Sequence, residues 1–312
     1  MFSFKKNKYH SQQHSNINTP LQSEEATSSI PSRVRELEIK SKRLTNLLFT
    51  GEYHSAFKGR GMSFKEVREY QAGDDIRFIE WNASARMGHT YSKLFEEERE
   101  LSVFLLIDTS ASNLFGTYKQ SKKDLITEIS AALAFSATSN NDKISMVFFN
   151  EKVERYIPEK KGRQHVLRLM RELLSFAPTS SKTNISQALH FLNSTTKHKS
   201  IVFILSDFVD EGYEQLLGIS AKKHDVIGIQ VFDKLDKQLP RVGLIEMGDP
   251  ETGETMLFDT NNKNARLQYS KQFDKIISLA KEHFKKAGAD LLQIETGEDF
   301  VKKLQDFFIK RK

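Results

Sequence analysis

The sequence predicts an α/β fold: a doubly wound, mainly parallel sheet of Rossmann type, preceded by an N-terminal, partly β extension. Three observations predict it. From Leu101 onward, short apolar runs alternate with segments of helical period, the order that gives a parallel sheet with helices on both faces. The runs are continuous rather than alternating, which marks strands buried on both sides. Two of them end in carboxylates, Asp108 and Asp207, at the edge where an open parallel sheet binds its ligands.

Taken in order, residues 1–30 are rich in Ser, Gln, Asn and Thr and have little to bury, so a disordered tail is expected. Residues 31–100 are assigned to the extension. Pro31 and Ser32 open a short helix predicted over Val34–Leu48. Residues 51–100 are charged, aromatic and turn-rich, with turns expected at Gly59-Arg60-Gly61 and Gly73-Asp74-Asp75. Their apolar side chains are too interrupted for an independent core, so this stretch is expected to pack against the sheet. Trp81, the single tryptophan, is expected to be buried there as its anchor.

Residues 101–312 are assigned to the α/β domain. Leu101–Ile107 is its first strand, and Leu125, Ile129 and Leu133 set the helical spacing that follows. Ile144–Phe149 is a strand with Lys152–Ile157 as a hairpin partner. Helices are predicted near Gln164–Phe176 and Ile185–Leu192. Strand Ile201–Leu205, helix Tyr213–Ala221 and strand Val226–Val231 come next, then a hairpin around Asp249–Glu254. Tyr269, Phe273, Ile276, Ile277, Ala280 and Phe284 form the stripe of a long helix ending at Gly288. Strand Leu291–Ile294 and a helix bearing Phe300, Leu304, Phe307 and Phe308 close the pattern.

Composition removes several classes of function. The 312 residues contain no cysteine, which excludes disulfides, thiolate metal sites and a cysteine nucleophile. Lys+Arg is 47 against 41 Asp+Glu, a mild net charge of +6 with the signs interleaved, so no nucleic acid partner is expected. No apolar run approaches the ~18 residues of a membrane span, and no h-region follows the basic start, so a soluble, cytoplasmic protein is expected. There is no phosphate loop, no dinucleotide fingerprint, no nucleophile elbow and no HExxH.

What remains is a set of hard oxygen groups at the strand ends: Asp108, Ser110 and Ser112 after the first strand, Thr183 before a helix, and Asp207 after Ile201–Leu205. Such donors suit Mg²⁺ or Mn²⁺. Two carboxylates about 5 Å apart repel by roughly 3 kcal/mol at an effective dielectric of ~20, and a divalent cation removes that penalty. The plainer reading makes these residues helix caps and turn formers.

These residues resemble the metal-ion-dependent adhesion site of von Willebrand factor A domains, Asp-x-Ser-x-Ser followed by a Thr and an Asp. The resemblance implies Asp108, Ser110, Ser112, Thr183 and Asp207 as the metal ligands. Ahead of them, GRGMSFKEVREYQAGDDIRFIEWNASAR and FEEEREL resemble the bacterial "domain of unknown function 58" family over roughly residues 50–310. Glu80 stands where that pattern has Asp, and Asn113-Leu114 follow the serines; neither alters a proposed ligand. The resemblance implies a von Willebrand A-like domain and association with a MoxR-type AAA+ ATPase.

The function expected is a non-catalytic, metal-dependent protein-binding module, whose partner supplies an acidic residue to the metal. The alternative is a metal-dependent hydrolase using Asp108 and Asp207. It would need a general base, and no His or Lys is expected at these strand ends. For Arg68, Asp74, Asp75, Arg77, Trp81 and Arg86, a partner surface competes with an internal ion-pair network pinning the extension to the sheet; the network is the favoured reading.

Overall fold

The computed structural model describes residues 3–5, 30–41, 63–96, 100–114, 116–117, 120–248 and 255–311. Six strands form the central sheet: β1 (Ser102–Asp108), β2 (Lys143–Phe149), β3 (Val153–Lys160), β4 (Ile201–Ser206), β5 (Asp225–Phe232) and β6 (Asp290–Glu295). Their order across the sheet is β6-β5-β4-β1-β2-β3, all parallel except the antiparallel edge strand β3. The expected α/β architecture with a mainly parallel sheet is therefore present.

Helices α1 (Lys122–Ser139), α2 (Arg163–Ser175), α3 (Ile185–Thr195), α4 (Glu214–Lys223), α5 (Lys263–Ala287) and α6 (Phe300–Lys310) cover both faces. On one face α1, α2 and α6 bury Leu125, Ile129, Leu169 and Leu304 against Val103, Leu105, Ile107, Met146 and Phe203. On the other, α3, α4 and α5 bury Leu189, Leu217 and Phe284 against Phe104, Leu106, Val147 and Ile204. Alternate residues of each strand thus feed opposite cores, and that is why the strands read as continuous apolar runs. At the end of α5, Gly288 takes the left-handed conformation (φ 70°) that stops the helix, as the sequence predicts.

Other features follow the sequence expectation in part or go beyond it. Residues 30–41 form a helix whose Val34 and Leu37 join the first core; the rest of the helix predicted to Leu48 lies outside the described residues, as does the turn at Gly59–Gly61. Ser3–Lys5, inside the stretch assigned to a tail, form a strand against Leu244–Gly248, which pairs in turn with Thr255–Asp259. Those two strands flank residues 249–254 as the predicted hairpin does. A short helix, Lys234–Lys237, follows β5.

Residues 63–96 build a two-stranded antiparallel sheet (Ser63–Glu69 with Tyr91–Glu96) and a helix, Trp81–Met87. The turn at Gly73 is present, with φ 111°. The burial of Trp81 is not: it is 70% exposed. Ile76 and Met87 are exposed as well, and the helix buries no residue. Among its described residues the segment is held by polar bonds, among them Tyr91 N to Ser84 Oγ (2.8 Å) and Glu80 N to Tyr91 O (2.8 Å). Among the described residues no helix is long and apolar enough to cross a membrane.

Candidate functional site

β1 and β4 lie side by side at the centre of the sheet, and the chain leaves them toward opposite faces, to α1 and α4. This is the switch point of a doubly wound sheet, where loops diverge and a crevice opens. Asp108 ends β1 and Asp207 follows β4, so their apolar strands deliver both carboxylates to that point. Both are buried, Asp108 to 2% exposure and Asp207 to 3%.

Three loops are tied together there. Ala111 N donates to Ser181 O (3.1 Å), joining the loop after β1 to the loop before α3. Ile185 N donates to Asp210 Oδ2 (2.7 Å), joining the start of α3 to the loop after β4. Ser206 Oγ donates to Asp108 Oδ2 (2.6 Å), joining β4 to β1. Ser110 N donates to Asp108 Oδ1 (2.9 Å), and the hydroxyls of Ser110 and Ser112 lie 3.0 Å apart. Asn113 Nδ2 bonds the Asp108 carbonyl (3.2 Å) and Ser110 Oγ (3.3 Å). Phe208 sits in the left-handed region (φ 56°), uncommon for a bulky residue, while its N–H donates to Ser206 Oγ (3.0 Å).

Asp108, Ser110, Ser112 and Asp207 therefore share one bonded network, with the Ser112 hydroxyl bonded to Asp207. Thr183 lies on the loop tied to that network. The cap of α3 is Asn184, which accepts from Gln187 N (3.1 Å), so Thr183 is not needed as a cap. Its Oγ1 is buried and has no hydrogen-bond partner. A buried hydroxyl without a partner costs free energy and calls for an explanation.

The network contains a cation that sequence reasoning did not place there. Lys122 Nζ lies 3.1 Å from Asp207 Oδ2 and 3.4 Å from Asp236 Oδ2, with its side chain fully buried. The expectation of no lysine at these strand ends is corrected: Lys122 reaches them from the first turn of α1. The signal was its spacing. Lys122 precedes Leu125, Ile126 and Ile129 by three, four and seven positions, so the buried stripe of α1, extended back one turn, lands on it.

Electrostatics divides the two carboxylates. Burial, then the neighbouring charge of Asp207, pushes Asp108 up to about 7. Burial also disfavours the charge on Asp207, but Lys122 and the hydrogen bonds of Ser112 and Val209 outweigh it and hold Asp207 below its ordinary value. Burial works against the charge on Lys122, and the two carboxylates it touches reverse that, so its pKa is raised. A proton shared by this site resides on Asp108, and Lys122 stays charged.

Among the described residues, no group of three or more His, Asp and Glu side chains could hold a metal ion. Any metal here would have to be held by two carboxylates and neutral hydroxyls. The donor chemistry fits: all are hard oxygens, and the Thr183 hydroxyl has a lone pair to give.

The second cluster named by the sequence is elsewhere. Arg68 pairs with Asp74 (2.7 Å) and Arg77 with Asp75 (2.6 Å), both inside the extension. Arg86 is exposed in the last turn of its helix. Among the described residues, the ion pairs of this cluster link members of its own turn, and none of them reaches the central sheet.

The family model described as "Protein of unknown function DUF58" matches residues 66–276. The uncharacterized protein Rv1480 of Mycobacterium tuberculosis is 27% identical over 290 residues, covering 91% of this chain and 90% of that protein. The uncharacterized protein YeaD of Bacillus subtilis is 28% identical over 107 residues, covering 34% of this chain and 25% of that one. Among solved structures, an aerotolerance-related membrane protein from Bacteroides fragilis superposes with a TM-score of 0.49 at 16% identity, over 67% of this chain and 99% of that one. BatB from Bacteroides thetaiotaomicron gives 0.46 at 15% identity, over 68% and 98%.

Proposed function

This chain belongs to the DUF58 family, and with its strand-end site as the second premise we propose that it is a non-catalytic, divalent-metal-dependent protein-binding module. The observation that carries the reading is the buried, partnerless Thr183 hydroxyl on a loop bonded to the Asp108–Asp207 network. The residues that would hold Mg²⁺ or Mn²⁺ are Asp108, Ser110, Ser112, Thr183 and Asp207. A bound cation would balance two facing carboxylates and present a positive charge to an acidic side chain of the partner.

The position of the two carboxylates at the switch point, between cores on both faces, supports a von Willebrand A-like reading of residues 101–312. A MoxR-type AAA+ ATPase in the cytoplasm is the partner class that the family resemblance implies, and the proposal adopts it. The hydrolase alternative gains a nearby lysine, but Lys122 holds its proton and so does not serve as a base.

Calorimetry with Mg²⁺ and Mn²⁺ on the wild type and Asp108→Ala tests the metal. Binding by the wild type that is lost in the variant is expected; equal affinity would refute the reading. A metal-dependent hydrolytic rate that vanishes in Asp207→Ala would instead favour the hydrolase.

A further inference from the structure

We propose that Lys122 tunes the metal affinity of the strand-end site, holding Asp207 with a resident positive charge so that a divalent cation binds weakly. The inference rests on the metal-binding reading above. Its own basis is the placement of the lysine. The ammonium bridges a proposed ligand, Asp207, and a carboxylate outside the proposed ligand set, Asp236. Asp236 is buried in the short helix after β5, where its Oδ2 also accepts from Asp233 N (2.9 Å). The cation is therefore anchored from the far side and does not depend on Asp207 alone for its position.

Packing alone does not account for a lysine here. It opens α1, where the helix dipole disfavours a positive charge. A fully buried ammonium also carries a desolvation cost that an apolar side chain of the same length would avoid. What the lysine supplies is charge. It offsets part of the negative charge of Asp207 and Asp236 that would otherwise draw a divalent cation, and it repels that cation directly. Asp207 is left shared between lysine and metal.

The experiment measures Mn²⁺ affinity by electron paramagnetic resonance at one fixed pH. It compares the full-length wild type, Lys122→Met, Lys122→Arg and the double variant Lys122→Met/Asp236→Asn, each checked for folding by circular dichroism. Removing a unit charge this close is expected to tighten Mn²⁺ binding by about tenfold or more in Lys122→Met. Lys122→Arg keeps the charge and is expected to match the wild type. The double variant removes one charge of each sign, so that Asp207 loses its ammonium but position 236 is not left as an unpaired carboxylate, and it is expected to bind more tightly than the wild type by a smaller factor. It carries the test if Lys122→Met does not fold.

A lysine that only positions Asp207 would move the affinity the other way. Equal or weaker Mn²⁺ binding in the folded neutral variants, with the wild type still binding, would overturn the proposal and leave the metal site standing. No Mn²⁺ binding by any of the four proteins would overturn both.

Discussion

Ser206 Oγ donates to Asp108 Oδ2 at 2.6 Å, and this bond latches the ends of the two central strands together. The same oxygen accepts from Phe208 N (3.0 Å), so it also fixes the turn that aims Asp207. Ser206→Ala removes a donor from a buried carboxylate and an acceptor from a buried amide. It is expected to destabilise the fold by roughly 1–3 kcal/mol, read as a lower denaturant midpoint at unchanged slope.

Asp142 is expected to make the fold less stable as pH rises. It is buried, accepts from Leu101 N (3.0 Å), and its Oδ2 has no partner. Burial above all raises its pKa from 3.8 to about 7. The folded state therefore holds a proton that the unfolded state gives up. The stability tied to that proton is present below about pH 4 and is lost as pH rises through about 7. Asp108 has the same sign, so the comparison is between wild type and Asp142→Asn rather than between two pH values alone. The variant is expected to gain on the wild type between pH 5 and 8. The gain is roughly 1–3 kcal/mol, since a tenfold difference in proton affinity between the folded and unfolded chain is worth about 1.4 kcal/mol. Denaturant melts in a metal chelator across that range check it; a constant difference would contradict the assignment.

Much of this was legible in the sequence, and the reason is burial. A strand covered on both faces must be apolar throughout, so Val103–Ile107 and Ile201–Leu205 announce themselves, and the first polar residue after each marks the site. Lys122 escaped because a charged residue beside Lys123 reads as solvated surface until its carboxylate partners, distant in sequence, are known. Trp81 misled for the converse reason: a large aromatic is expected inside, and only the fold shows that the extension offers it no cover. Ser3–Lys5 pair with a strand through the backbone, and backbone pairing leaves no mark in the side chains.

The exposure of Trp81 has a direct optical consequence. As the single tryptophan it reports alone, and at 70% exposure its emission is expected near that of indole in water and open to quenching by acrylamide. Trp81→Ala is expected to change stability by no more than about 0.5 kcal/mol, as for other surface substitutions. A blue-shifted, protected emission would show that the face is covered in solution.

Gly228 is the one place where β5 admits no side chain. A Cβ there would come within 2.6 Å of Phe284 Cε1 and 2.7 Å of Leu291 Cδ1, both packed in the second core. Gly228→Ala is therefore expected to cost about 1–3 kcal/mol through overpacking, although alanine suits a strand better than glycine in open surroundings. Pairing it with Leu291→Ala, which clears one of the blocking atoms, is expected to cost less than the sum of the two single changes.

The sheet, the second core and all of the first core but Val34 and Leu37, with Ile30 against it, lie within residues 101–311, which favours a fragment starting at Leu101 that still folds. It will not keep the stability of the whole chain. Residues 30–41 lay Val34 and Leu37 into the first core, where burying each side chain contributes about 1.5–3 kcal/mol. Glu38 adds a two-pronged pair with Arg163 at the start of α2, at 2.6 and 2.8 Å. Cutting at 101 exposes the core surface under that helix, and the melting temperature is expected to fall by on the order of 10 °C. The extension between residues 63 and 96 contributes little to this loss, since among its described side chains Ser92 alone is buried. Val34→Ala/Leu37→Ala in the full chain is accordingly expected to reproduce most of the drop. A fragment that melts with the full chain would mean that the helix adds nothing to the core it touches; a double variant that melts like wild type beside a destabilised fragment would move the missing stability to residues 42–100.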